Sequence, residues 1–157
     1  MNLSINFTLD ELIQSEYAIR NNIKEQFTPS EEIVSNLKDL CIHILQPVRD
    51  YLKKPLTITC GYRCPRVNTG VGGATNSQHM VGQAADVKYM IDGKVYNKVL
   101  LKAIVDLNLP FDQIIYEFGD DTNPAWVHVS YDKNRSRKQI LRAIKIGRKT
   151  VYETYNP

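Results

Sequence analysis

Two short stretches hold the side chains best suited to chemistry. Ser77-Gln78-His79-Met80-Val81-Gly82-Gln83-Ala84-Ala85-Asp86 carries one of only three histidines and, seven residues on, an aspartate. Trp126-Val127-His128-Val129-Ser130 supplies a second histidine. Two neutral imidazoles and one carboxylate, here His79, His128 and Asp86, make a three-ligand zinc set with a fourth position left for water. Such an open set belongs to catalytic zinc, because a closed structural site takes four protein ligands.

The elements around these residues are readable from periodicity. Trp126 to Ser130 alternates, so Val127 and Val129 face a core while Trp126, His128 and Ser130 face the other way, towards a cleft. Ala84 to Met90 reads as a neighbouring strand whose small first residues allow close packing around a metal. Gly82 lets the chain turn sharply enough to bring His79 and Asp86 to one point. Gln113-Ile114-Ile115-Tyr116-Glu117 and Leu56-Thr57-Ile58-Thr59-Cys60 are further strands, and Asp92-Gly93 marks a tight hairpin turn. Gly61 to Ser77 reads as a long loop of the kind that often carries function.

Helices are signalled elsewhere. Thr8-Leu9-Asp10-Glu11 is a capping box, and Thr28-Pro29-Ser30-Glu31 repeats the signal with Pro29 in a first turn. Apolar residues from Ile33 to Leu52 recur at spacings of three and four, a buried stripe on one long helix that Pro47 is placed to kink. His43 lies beside that stripe with no local ligand partner and reads as an ordinary side chain. Asn97 to Leu107 is a second amphipathic helix. In the tail, Ser136-Arg137-Lys138-Gln139 reads as the cap of a last helix ending near Gly147, packed by Ile140, Leu141 and Ile144.

With 157 residues, 43% of them hydrophobic, the chain is sized for one domain with a core of its own. A net charge of +3 argues for no nucleic-acid partner, and no apolar run suits membrane insertion. The N-terminus lacks the basic and apolar regions of a secretory signal. Cys41, Cys60 and Cys64 are too few and odd in number for a disulfide framework. A local Cys60–Cys64 bridge or a structural zinc site built on that pair are minor alternatives, the second lacking a matching ligand pair. Residues 131–157 hold eight Lys/Arg against Asp132 and Glu153, a charge of +6.

In order along the chain, Cys60-Gly61-Tyr62-Arg63-Cys64-Pro65, Asn68, Val71-Gly72-Gly73, Ser77-Gln78-His79, Gly82, Ala84-Ala85-Asp86 and Trp126-Val127-His128-Val129-Ser130 closely resemble the zinc D-alanyl-D-alanine carboxypeptidase family, whose fold is shared with hedgehog signalling domains. The resemblance implies zinc held by His79, Asp86 and His128, and action on peptidoglycan stem peptides. It implies an α+β fold with a small antiparallel sheet carrying the metal and helices at its flanks. It also implies that Arg63 pairs with a substrate carboxylate or an oxyanion, as a planar guanidinium fork can. Ser77 matches a serine that orients substrate, although it could equally cap the loop backbone.

In one respect the chain departs from that pattern. Many relatives place Asp or Glu three residues before the last ligand, where this sequence has Ala125. A carboxylate must still move the water proton to the leaving amine. Glu117, at the end of the preceding strand, is the expected base, with Asp120 and Asp121 in reserve. The expectation is a single zinc peptidase domain over 1–157 with a basic helical extension at about 131–157. It would cut stem or cross-bridge peptides as a carboxypeptidase or endopeptidase. Without a secretory signal it reads as a phage or prophage lysin, held in the host cytoplasm or carried in a virion, and acting at the cell wall. The alternative is a zinc-holding but non-catalytic cell-wall-binding or structural module, docked to an assembly or the wall through the basic tail.

Overall fold

The computed structural model describes all 157 residues. Two short helices, α1 (Leu9–Ile13) and α2 (Glu16–Arg20), open the chain. The expected capping box on α1 is formed, Thr8 accepting from the Glu11 N–H while Glu11 reaches back to the Thr8 backbone. The next helix, α3 (Glu31–Leu40), is capped by Ser30 rather than Thr28, so Pro29 lies outside it. It continues through one π turn (Cys41–Leu45) into α4 (Gln46–Leu52). The Gln46 N–H reaches back to the Cys41 carbonyl, five residues away, so the helix widens by one residue just before the Pro47 ring.

The strands follow as β1 (Thr57–Cys60), β2 (Ala84–Lys88), the small hairpin β3 (Met90–Ile91) and β4 (Lys94–Val95), then β5 (Gln113–Glu117) and β6 (Trp126–Ser130). The β3–β4 turn uses Asp92 and Gly93, both with positive φ, as the Asp-Gly signal implied. Between β1 and β2 lies a short helix, α5 (Pro65–Gly70), so the stretch expected as an unstructured loop carries a helix begun by Pro65. The amphipathic helix expected from Asn97 is α6 (Asn97–Asp106).

The tail corrects the expected helical extension. Residues 131–157 form no helix but a β-hairpin, β7 (Gln139–Ile146) and β8 (Lys149–Thr154), turning at Gly147 with φ +62°. The spacing of Ile140, Leu141 and Ile144 fits a helical stripe, but the edge of β5 decides the outcome. Its unpaired backbone groups take up β7 in parallel, from Gln113↔Gln139 to Glu117↔Ala143. The sheet is therefore mixed and six-stranded, in the order β1-β2-β6-β5-β7-β8, with the first four strands antiparallel. The α+β class holds, and the expected small antiparallel sheet is the four-strand part β1-β2-β6-β5, extended by the parallel β7 and its partner β8.

One face of the sheet covers the helices. Ala85, Val87, Ile114, Tyr116, Val127 and Val129 point into a hydrophobic cluster with Leu37, Leu40, Ile44 and Leu45 from the long helix and Leu100, Leu101 and Ile104 from α6. The valines flanking His128 are fully buried, as their alternation required. Cross-strand partners share a face, so Cys60, Asp86, His128 and Ile115 form a row on the other side, next to a row of Trp126 and Glu117.

Candidate metal centre

Asp86 and His128 are directly opposed in the β2–β6 ladder, which fixes both side chains on one spot of the open face. His79 arrives from a 3₁₀ turn over Gln78–Val81. Ser77 caps that turn by accepting the His79 N–H at 3.3 Å, and Gly82 ends it in a left-handed conformation at φ +73°. A Cβ at Gly82 would sit 2.7 Å from the Ile33 carbonyl oxygen, so both space and backbone demand glycine there.

The three side chains converge. His79 Nε2 lies 3.3 Å from Asp86 Oδ1, His128 Nδ1 lies 3.1 Å from the same oxygen, and the two ring nitrogens are 3.2 Å apart. A tetrahedral zinc with arms of about 2.0–2.1 Å has ligand–ligand edges of about 3.3–3.4 Å, so the triangle already has the size of a zinc face. The tautomer of His79 fits as well. Its Nδ1 lies 2.7 Å from the Gly61 carbonyl, which can only accept, so Nδ1–H donates and Nε2 keeps its lone pair for a metal. Any side chain at Gly61 would run into the backbone of Leu12, so glycine lets that carbonyl come close. Burial alone would raise the Asp86 pKa, but the imidazoles of His79 and His128 outweigh it and hold the carboxyl well below the usual carboxylate range.

Cys60 is the one rival ligand. Its Sγ lies within 4.8 Å of the ligand atoms of His79 and Asp86. Its approach to His79 is 3.9 Å, but to Nδ1, the nitrogen already given to Gly61. Burial, with the Asp86 charge second, pushes its thiol up to about 12. Cys60 thus sits as a neutral thiol beside the triangle. All three cysteines are free, so the local bridge is not formed, and Cys64 lies outside the ligand cluster of Cys60, His79 and Asp86.

Arg63 stands at one side of the centre. A cleft of about 610 Å³ runs beside β1, lined among others by Asp86, Cys60, Arg63, Val67, Val71 and Gln14. The Arg63 Nε is buried without a hydrogen-bond partner, while one terminal nitrogen lies 3.4 Å from Ser77 Oγ. A guanidinium that lines such a cleft with one buried N–H left unpaired is suited to an anion. The residue that aims it carried no sequence signal. Gln26, fully buried, donates to the Tyr62 and Ile13 carbonyls and accepts from the Cys64 N–H, clamping the backbone on both sides of Arg63. Ser77 accepts from the His79 N–H and from Arg63, so it caps the turn and sits beside the cleft arginine.

Of the candidate bases, Glu117 is brought to the centre. It shares the open face with His128, is buried, and has its pKa raised to about 7. Burial is the largest cause, and the charges of His128, Asp86, His79 and Arg63 are all felt at its carboxyl. Asp120 and Asp121 are occupied elsewhere. Asp120 accepts from the Thr122 and Asn123 N–H groups within its own loop, and Asp121, 92% exposed, pairs with Arg142 at 2.7 Å. Ala125 itself donates its N–H to the Glu117 carbonyl. Glu117 and Ala125 are therefore neighbours across the β5–β6 connection. His43, exposed and stacked on Tyr131 at 4.7 Å, takes no part.

With this geometry in view, the comparison with known families is direct. The peptidase M15 family matches residues 5–130, most of the chain, and the chain belongs to that family. A zinc D-Ala-D-Ala carboxypeptidase of Streptomyces albus G is 53% identical over 34 residues. That stretch covers 22% of this chain and 13% of the Streptomyces protein, so the likeness spans a small part of that relative. No helix here is long and apolar enough to cross a membrane.

Proposed function

We propose that this protein is a zinc peptidase acting on peptidoglycan stem or cross-bridge peptides, with His79, Asp86 and His128 as the metal ligands. The observation that carries the reading is the triangle of donor atoms at 3.1–3.3 Å, beside a cleft lined by Asp86 and by Arg63, whose Nε has no partner. A zinc ion held there supplies Lewis acidity for the scissile carbonyl and a lowered pKa for water.

The chain's own residues do the rest. Glu117 takes a proton from the attacking water as oxygen adds to the carbonyl carbon, then delivers it to the leaving nitrogen as the C–N bond breaks. Its raised pKa, about 7, suits a group that must both accept and give a proton near neutrality. A bound dication would draw that value down, so the rate should fall on the acid side of neutrality. Arg63 forks onto a carboxylate of the peptide, such as the C-terminus of D-alanyl-D-alanine, and so sets the register of the bond over the metal. Ser77 and Gln26 hold Arg63 and the His79 turn in place.

Release of peptides from purified peptidoglycan tests the reading. Zinc-loaded protein should release them, and Glu117→Gln should bind zinc yet lose about 10²–10⁴-fold in rate. Release that persists at full rate in Glu117→Gln refutes the base. No release by the zinc-loaded protein from any wall type leaves the non-catalytic binding module in its place.

A further inference from the structure

The family match ends at Ser130, so the β7–β8 hairpin lies outside it. The hairpin is nevertheless built into the open face. Its register continues the two rows of the site. Asp86, His128 and Ile115 extend into Leu141 and Thr154, and Trp126 and Glu117 extend into Ala143 and Tyr152. Two strand spacings, about 10 Å, separate Glu117 from Tyr152, with only the methyl of Ala143 between them. Tyr152 is 53% exposed, so it is not spent on the core. Burial raises its phenol pKa first, and the carboxylates of Glu117 and Asp86 add to the rise, so the site's charges reach the hydroxyl.

The hairpin is held firmly. Asp112, fully buried at the start of β5, accepts from Arg137 at 2.9 Å and Arg135 at 3.1 Å, and also from Gln78, the neighbour of His79, at 3.0 Å. On the far face Arg142 pairs with Asp121, and Tyr155 lies against Tyr116 with ring centroids 4.9 Å apart. The cleft with Arg63 lies beyond β1, at the opposite end of the strand order from the hairpin.

We propose that Tyr152 is a substrate-contacting residue and that the β7–β8 hairpin is the second wall of the peptide site. The peptide then lies across the strands. Its carboxylate end sits at Arg63, its scissile bond lies over the His79–Asp86–His128 centre, and its remaining length passes Glu117 towards Tyr152. There the phenol O–H donates to a carbonyl or carboxylate of the peptide. This rests on the peptidase reading and adds a length requirement to it: acetyl-D-alanyl-D-alanine is too short to reach Tyr152, whereas a stem pentapeptide ending in D-alanyl-D-alanine does.

The test uses the full zinc-loaded chain, with calorimetric binding of both peptides to Glu117→Gln protein and hydrolysis by the otherwise native one. Tyr152→Phe removes only the hydroxyl, and Glu153→Gln alters the neighbouring residue on the opposite face as a control. Tyr152→Phe should weaken pentapeptide binding about three- to ten-fold, the size of one net hydrogen bond. Dipeptide binding and Tm should not change, and Glu153→Gln should bind as the parent does. Equal pentapeptide affinity in Tyr152→Phe and its parent overturns the proposal, as does failure of the parent to bind the pentapeptide at all. Binding with the predicted pattern but without hydrolysis would sustain Tyr152 while refuting the peptidase.

Discussion

His79, Asp86 and Glu117 are three ionisable side chains on one patch, each set by a different cause. His79 is directed by the Gly61 carbonyl, Asp86 is kept charged by two imidazoles, and Glu117 is kept nearly neutral by burial. The last has a measurable consequence without metal. A folded-state value of about 7 against an ordinary 4.5 means that the folded protein holds its proton more tightly than the unfolded chain. The stability this gives is complete below about 4.5 and lost as pH rises towards 7, about 3 kcal/mol at most. Metal-free Glu117→Gln should therefore be more stable than metal-free wild type at pH 8 and no more stable at pH 4, by urea denaturation. A constant difference across that range would show that Glu117 does not titrate as described. Arg63→Lys keeps the charge but not the planar fork, so it should raise KM for a peptide with a free C-terminal carboxylate about ten-fold or more. Unchanged KM would remove Arg63 from carboxylate binding.

At the scale of elements, the site depends on pieces whose legibility in the sequence differed. Strands β5 and β6 could be read to their ends, because Gln113 to Glu117 is β-branched and aromatic and Trp126 to Ser130 alternates. A sharp turn at Gly82 was legible from its residue type, although the 3₁₀ turn over Gln78–Val81 was not. What could not be read rests on contacts distant in sequence. Ile140, Leu141 and Ile144 suit a helical stripe and a strand alike, and only the free edge of β5 settles the choice. Gln26 is one polar residue in a polar stretch, and its role appears only when the Tyr62–Cys64 backbone lies against it. Gln26→Ala should leave buried backbone groups unpaired and cost about 2 kcal/mol or more in chemical denaturation. It should also weaken carboxylate binding by loosening Arg63, and a variant as stable and active as wild type would show that the clamp is unimportant.

Over the whole molecule, charge distribution looks different once the hairpin is in place. Half of the tail's eight Lys/Arg are engaged with the rest of the fold, Arg135 and Arg137 on Asp112, Arg142 on Asp121, and Lys138 against the Asn108 and Leu109 carbonyls. Salt-sensitive attachment to an anionic wall must therefore rely on Lys133, Lys145, Arg148 and Lys149. Reversing Arg148 and Lys149 should reduce wall binding at low salt without lowering Tm, and no change in a wall pull-down at 0.1 M salt would remove the tail from wall attachment. The metal centre joins β2, β6 and the turn before β2, so it ties together parts far apart in the chain.

The central claim is that His79, Asp86 and His128 close around one zinc while Cys60 stands aside. Calorimetric titration of metal-stripped protein with zinc measures this directly. Wild type and Cys60→Ser should each bind one equivalent with similar affinity, and His79→Ala and His128→Ala should lose that binding. Stoichiometric zinc retained in both histidine variants, or lost in Cys60→Ser, would contradict the account.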